Sequence, residues 1–350
     1  MWDLRVPFFF QSGASARARG LTRAALSLGL VTHPFSYQLA TSVDDAAKKL
    51  SKSGAMSLGG GTDLLVAIAE EITRPDVLVD LRTIPDGAGV RVHDDGRVWI
   101  GAATRVAELA GNAIIRERFP SLSETCAVVA TPALRNMGTI GGNLCQRPRC
   151  WYFRRGISCL KNGGTSCPAV DGENQYLAIL DNGPCHIVHP SDPAVALTAL
   201  EAVVEIASLD GRREVPISEF YTLPSERLDQ ETVLARGEFV SAVLLPAVSA
   251  GGVQHYHKLM QRDAWDFALV SIAGCKRADG DVRIVLGGVA PRPWRVNTSI
   301  EEDVASGGLD EDTIATLADR ALYDARPLSK NGYKVELAAS LLREMMARLA

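Results

Sequence analysis

The sequence predicts an α+β fold, and three observations carry that prediction. Short strands joined as hairpins mix with helical stripes, without the regular βα rhythm of a doubly wound sheet. One glycine turn stands between a strand and a helix, and a second follows a helix. A small, flexible stretch, Ala247 to Gly252, divides a long first region from a shorter second one. Hydrophobic residues make up 47% of the 350 and charged residues 22%, enough apolar surface for a large core and two or three domains.

The elements follow in order. Residues 1–33 carry Phe8 to Phe10 and then Arg17, Arg19 and Arg23 with no acidic residue between the arginines. They lack the order of a secretory signal and read as a leader, an over-long start or a targeting arm, outside the fold. From Pro34 the chain is expected to be ordered. Ser42-Val43-Asp44-Asp45 resembles a capping box, with Ala46, Ala47 and Leu50 at helical spacing behind it. Gly54 is placed to stop that helix. Ala55 to Leu58 reads as a strand leading into Gly59-Gly60-Gly61-Thr62-Asp63-Leu64-Leu65, and Val77 to Leu81 as another. Val90 to Val92 and Val98 to Ile100 flank a turn at Asp94 to Arg97, a hairpin.

Thr104 is placed to cap a helix towards Ala110, and a second helix is expected over Ser121 to Val129. A second glycine turn follows, Thr139-Ile140-Gly141-Gly142-Asn143. Val203 to Ile206 and Val215 flank Asp210-Gly211 as another hairpin, and a strand over Val240 to Leu245 ends at Pro246. Beyond the flexible stretch, His255 to Leu259, Ala268 to Ala273 and Val282 to Leu286 read as a small sheet. Two helices close the chain, with stripes Ile314, Leu317, Ala318, Ala321 and Leu337, Leu341, Leu342, Met345.

Some function classes are disfavoured. The net charge of −4 lacks the basic footprint of a nucleic-acid binder. No run of about 18 apolar residues occurs, so no membrane span is expected. Without an export signal the default compartment is cytoplasmic, although a folded complex can leave on a partner's signal. There is no Gly-x-Ser-x-Gly elbow, His-Glu-x-x-His or Walker loop, and no catalytic nucleophile is assigned.

The glycine turns are candidate anion sites. Glycines after a strand let the backbone approach a ligand, their N–H groups form a concave anion site, and a following helix adds its dipole. Two such turns suit a pyrophosphate better than one phosphate. Neither has the Rossmann spacing, which disfavours a nicotinamide site of that type.

Five of the seven cysteines lie between 145 and 185: Cys145, Cys150, Cys159, Cys167 and Cys185. The gaps after Cys150 hold eight, seven and seventeen residues. A local cluster in a chain this long reads as metal binding before disulfides. Structural zinc usually shows tight C-x₂₋₄-C pairs, which are absent. Loose spacing suits a four-iron cluster, with Arg147, Arg149, Arg154, Arg155 and Lys161 offsetting its charge. Zinc and incidental thiols stay open on spacing alone. Cys126 and Cys275 sit in apolar contexts as buried thiols.

Asp192 in His189-Pro190-Ser191-Asp192 is either a helix N-cap or a carboxylate at a cofactor edge. Lys258 and Arg262 flank a strand end, as solvated charges or as cofactor contacts. His255 and His257 share one strand face, most simply as solvated or packed side chains.

Taken together, Gly59 to Leu65, Thr139-Ile140-Gly141-Gly142-Asn143-Leu144, His189-Pro190-Ser191-Asp192 and Val285-Leu286-Gly287-Gly288-Val289-Ala290 resemble the flavin subunit of the xanthine dehydrogenase and aldehyde oxidoreductase family. The resemblance covers about 34 to 350. It implies an FAD-binding domain of the vanillyl-alcohol oxidase (PCMH) type over 34–247, with a first subdomain to about 100 and a second from 101. A smaller α+β domain of the CO dehydrogenase flavoprotein type follows over 252–350. It implies FAD pyrophosphate at Gly60, Gly61, Thr62 and Asp63, with Gly59 also at the cofactor and Leu58 and Leu64 lining the adjacent pocket. Thr139, Gly142 and Asn143 fall in the second motif, Asp192 near the flavin or its ribityl chain, and Lys258 at a later cofactor contact.

Most members lack cysteines after the second glycine motif. This sequence resembles the subgroup with an insertion there, including flavin subunits of 4-hydroxybenzoyl-CoA reductase and of periplasmic-type aldehyde oxidoreductase. In that subgroup four cysteines hold a [4Fe–4S] cluster, and the matching positions are Cys150, Cys159, Cys167 and Cys185, with Cys145 a neighbour. The implied role is electron transfer. A partner large subunit oxidises substrate at a molybdenum cofactor, [2Fe–2S] clusters on a small subunit pass electrons to FAD here, and an external acceptor takes them. Two rivals are a self-sufficient FAD-dependent reductase and a zinc-stabilised scaffold subunit. On this reading Gly61→Val loses FAD, while Cys159→Ser loses the cluster's visible absorbance but largely keeps FAD, because the glycine turns are separate.

Overall fold

The computed structural model describes residues 33–262 and 265–350; the leader expected at the N-terminus lies, apart from His33, outside them. Three sheets organise the described chain. The first is parallel, with β1 (Ser36–Leu39), β2 (Ala55–Leu58) and β3 (Val77–Asp80) in the order β1-β3-β2. Both outer strands align with β3, Ser36 and Ala55 each opposite Val77. The helix Val43–Leu50 begins where the capping pattern places it: Ser42 Oγ accepts from the Asp45 N–H at 3.0 Å. Its buried face is Ala46, Ala47 and Leu50, as the spacing predicts. Gly54, at φ +70°, turns the chain into β2.

The second sheet has five antiparallel strands: β4 (Val90–Val92), β5 (Val98–Gly101), β6 (Val203–Ser208), β7 (Gly211–Pro216) and β8 (Phe239–Leu245), in the order β4-β5-β8-β6-β7. The β4–β5 hairpin, assigned by sequence to the end of the first subdomain, thus forms one edge of this sheet. Helices Val106–Gly111, Ala113–Arg118 and Pro120–Val128 share a core with it, built on Leu109, Ile115, Leu122, Leu197 and Val243. Full burial of each such Leu, Ile or Val contributes about 1.5–3 kcal/mol. Thr104 does not cap the first of these helices. It is buried one residue too early, and its Oγ1 bonds the backbone of Gly89.

The third sheet is antiparallel, with β9 (Val253–Leu259), β10 (Val270–Lys276), β11 (Val282–Gly287) and β12 (Trp294–Arg295). Helices Thr298–Ser306, Glu311–Ala321 and Tyr333–Leu349 cover one face, and both predicted stripes supply buried residues there. The helix Asp192–Ala199, buried along its whole length, lies against the strands of this sheet. The approach is close: a Cβ on Gly287 would come within 2.5 Å of Val195. That helix carries the His-Pro-Ser-Asp motif at its start, so its packing brings the motif to the third sheet.

Candidate functional site: a glycine cradle, a polar cavity and a cysteine segment

The two glycine turns interlock. A Cβ on Gly60 would sit 1.9 Å from the Met137 carbonyl oxygen and 2.8 Å from Gly138 Cα. A Cβ on Gly59 would sit 2.5 Å from Thr139 Oγ1. Only glycines let the two backbones approach this closely, and Gly61 adds a left-handed φ of +75°. Thr139 caps the helix Ile140–Leu144, its Oγ1 accepting from the Gly142 N–H at 3.2 Å. Ser191 Oγ donates to Asn143 Oδ1 at 2.6 Å and ties the third motif to the second. Leu58 is buried below the turn, and Leu64 opens the helix Leu64–Ala69 above it. Thr62 lies beside Gly138, where an added Cβ would meet its Oγ1 at 3.4 Å.

Asp192 is the first residue of its helix, and Ser191 is the cap, its Oγ accepting from the Ala194 N–H at 3.1 Å. This corrects the capping alternative for Asp192. Its carboxylate accepts from Tyr256 Oη at 2.9 Å and from Lys258 Nζ at 2.8 Å. Lys258 also donates to the Asp266 carbonyl at 2.8 Å. The Asp192 and Lys258 side chains are 8% and 2% exposed, so each charge is neutralised by the other inside the protein. Burial and the Asp192 charge drive the Tyr256 hydroxyl pKa well up.

Asp192 lines a cavity of about 440 Å³ with Arg149, Cys150, Trp151, His189 and Phe267. His189 is buried and stacks on Tyr221 at 4.3 Å between ring centroids. Neither of its ring nitrogens has a partner, and burial pulls its pKa down to about 4. Arg149 stacks over Phe267 at 5.1 Å, and its buried Nε is also without a partner. Buried donors and acceptors are normally satisfied, so unpartnered atoms on two residues that line the cavity stand out. His189 was quoted in the sequence only as part of a motif; its orphaned ring depends on packing that no local pattern reveals.

The cysteine segment is wrapped against both features. Burial raises the Cys150 pKa, the N–H groups of Phe153 and Tyr152 oppose it, and the nearby Cys167 and Cys159 add to it. Burial pushes Cys185 up to about 12, with Cys167 and Cys150 adding to it and Lys161 opposing. Cys145 stands apart, raised to about 12 by burial alone. Cys126 and Cys275 are buried in the core, as their contexts predict. Among the described residues, no three His, Cys, Asp or Glu side chains converge as ligands of one metal ion.

Charges hold this segment down. Asp63 Oδ2 accepts from the Arg147 N–H at 2.7 Å, and Oδ1 lies 2.7 Å from Arg154 Nη2 and 3.0 Å from Arg149 Nη2. The glycine turn is therefore tied to the arginines on either side of Cys150, a link that the sequence reading does not foresee. Glu231, not foreseen in the sequence, binds Arg147 at 2.9 Å and Lys161 at 2.7 Å with both Glu231 and Lys161 buried. Farther along, Asn331 Nδ2 donates to the carbonyls of Leu177 and Ala178, and Lys334 Nζ to those of Tyr176 and Gly288. The two histidines of β9, His255 and His257, line a separate, smaller recess of about 260 Å³ with Glu124 and Glu344.

Paired glycine turns, a cavity fed by a third motif and a small C-terminal sheet domain define a flavoprotein fold of the vanillyl-alcohol oxidase type. Residues 33–248 match the FAD-binding domain in molybdopterin dehydrogenase, and residues 255–349 the CO dehydrogenase flavoprotein C-terminal domain. The chain is 35% identical to the aldehyde oxidoreductase FAD-binding subunit PaoB of Escherichia coli, over 89% of this chain and 97% of that one. It is 25% identical to the carbon monoxide dehydrogenase medium chain of Hydrogenophaga pseudoflava, over 89% and 96% of the two chains. In fold it is similar to carbon monoxide dehydrogenase from Hydrogenophaga pseudoflava, with a TM-score of 0.70, 24% identity, and coverage of 91% of this chain and 98% of that one. Quinoline 2-oxidoreductase from Pseudomonas putida 86 gives the same TM-score of 0.70 at 21% identity, with the same coverage. The chain belongs to the family of FAD-binding medium subunits of molybdenum hydroxylases.

Proposed function

We propose that this chain holds FAD and a [4Fe–4S] cluster and acts as the electron-transfer subunit between a molybdenum-containing large subunit with its [2Fe–2S] small subunit and an external acceptor. The observation that carries the flavin reading is the interlocked pair of glycine turns beside a cavity whose buried His189 and Arg149 atoms have no protein partner. Gly59, Gly60, Gly61 and Thr62 would hold the pyrophosphate by backbone N–H groups, with Thr139, Gly142 and Asn143 bracing them from the second turn. Asp63 would contribute its backbone only, because its carboxylate is engaged by Arg147, Arg149 and Arg154. Leu58 and Leu64 would line the adjoining apolar wall.

Bound FAD supplies the exchange between one-electron carriers and a two-electron acceptor. The protein's part is to place it and to set the surrounding charge. Asp192 and Lys258 form a neutral, buried pair at the cavity. His189, neutral because burial disfavours its charged form, can donate from one ring nitrogen and accept at the other.

For the cluster, support comes from neighbourhood: Cys159 and Cys167 lie near enough to act on Cys150, and Cys150 and Cys167 near enough to act on Cys185, whereas burial alone acts on Cys145. Lys161 and the arginines of the segment offset the thiolate charge. The partner assignment rests on the resemblance to medium chains and FAD-binding subunits. No helix among the described residues is long and apolar enough to cross a membrane.

Cofactor analysis of the complex, purified anaerobically with co-expressed partners, tests both parts. The expected content on this chain is about one FAD, four irons and four acid-labile sulfides. Flavin without iron in a fully loaded complex removes the cluster and returns the cysteines to a structural role. Zinc without flavin overturns the whole reading.

A further inference from the structure

We propose that Asp63 is a positioning residue that locks the cysteine segment in place as one wall of the flavin cavity, so that FAD retention depends on contacts the segment makes outside the cradle. This rests on the FAD reading above. Asp63 stands at the N-cap position of the helix Leu64–Ala69 yet makes no capping bond. Its carboxylate is only 14% exposed. It takes the Arg147 N–H at 2.7 Å, Arg154 Nη2 at 2.7 Å and Arg149 Nη2 at 3.0 Å. Arg154, 9% exposed, also donates to the carbonyls of Pro148 at 2.7 Å and Arg147 at 3.0 Å, and so fastens the loop on which Arg149 and Cys150 stand.

The consequence for the cavity is direct. Arg149, Cys150 and Trp151 form part of its wall, as do Tyr176 and Leu177 from later in the segment. One carboxylate thus anchors the strip of chain that faces His189 and Asp192. A carboxylate can accept from two guanidinium groups and an N–H at once. An amide offers one oxygen and turns its N–H₂ towards a second donor, so Asp63→Asn loses the lock while keeping the shape. The short helix does not use this side chain as a cap, which separates positioning from helix stability.

The test uses the holo-complex, stripped of flavin and titrated with FAD while protein fluorescence and thermal unfolding are followed. Asp63→Asn and Arg154→Gln are each expected to weaken FAD rebinding by at least about tenfold, the scale of one lost charge-assisted hydrogen bond. The double variant is expected to weaken rebinding by less than the two single effects combined, because both break the shared Asp63–Arg154 pair. Asp63→Glu, which keeps the charge, is expected to recover part of the affinity. Arg154 does not line the cavity, so wild-type FAD affinity in Arg154→Gln overturns the proposal even if Asp63→Asn fails to assemble. Additive weakening in the double variant also overturns it. Wild-type complex that never held FAD removes the flavin reading first, and the proposal with it.

Discussion

The glycine cradle and the cysteine segment lie against each other but are held by different forces. The cradle is held by absent atoms: Gly59 and Gly60 allow two backbones to touch, and nothing charged is needed. The segment is held by present charges: Asp63 and Glu231 together receive Arg147, Arg149, Arg154 and Lys161. The difference teaches where each is fragile. Steric complementarity fails when any atom is added. An ion-pair network fails when one charge is removed, because its buried partners are left uncompensated.

The largest expected effect follows from that asymmetry. Glu231→Ala leaves the Lys161 ammonium, 1% exposed, with the Leu228 carbonyl as its remaining hydrogen-bond partner among the described residues. A loss of about 3–5 kcal/mol is expected, read from denaturant unfolding, with cleavage inside the cysteine segment appearing first under limited proteolysis. A loss under about 1 kcal/mol would show that charge does not hold the segment. Gly60→Ala comes next, with a cost of about 1–3 kcal/mol for forcing an atom into the Met137 backbone, together with loss of FAD. Full flavin occupancy in that variant would refute the cradle.

A third experiment sets pH against the same comparison. Lys334 is fully buried, and desolvation lowers its pKa from 10.5 to about 7. Its two carbonyl acceptors need only two hydrogens, which the neutral amine supplies. Between pH about 7 and 10.5 the unfolded chain binds a proton that the folded chain does not, so stability rises with pH across that window. Lys334→Met removes this term. The stability of wild type relative to the variant should therefore climb from pH 7 to pH 9, and a flat difference would mean that Lys334 stays charged. The smallest effect is expected for Thr139→Ala, about 1 kcal/mol for one helix cap, because the cradle depends on its glycines more than on this hydroxyl.

Much of the fold was legible because it is local. The Ser42 cap, the Val90–Val92 to Val98–Gly101 hairpin and both C-terminal stripes follow from spacing and turn chemistry within a dozen or so residues. What escaped is pairing at long range. β1 has mostly exposed residues and exists because it lines up beside β3, which no alternation in Ser36–Leu39 announces. The hairpin joins strands more than a hundred positions later, so its sheet could not be inferred from its turn. The same holds at the site. Glycines and cysteines are visible as residue types, and a resemblance could carry them. Asp63 was singled out with the glycines, but its bonds reach residues 147 to 154, and Glu231 lies in an unremarkable loop. Coupling between distant charges leaves no mark in either stretch alone.

The contacts made by Asn331 and Lys334 set an order of events during synthesis. Both grip the backbone near Tyr176 to Ala178, which leaves the ribosome some hundred and fifty residues before them. A nascent chain that already contains both glycine turns and every cysteine of the segment still lacks the clasp that finishes the cavity wall. A chain cut short before Asn331 would therefore keep both glycine turns and the cysteine segment but lose the side chains that fasten Tyr176 to Ala178.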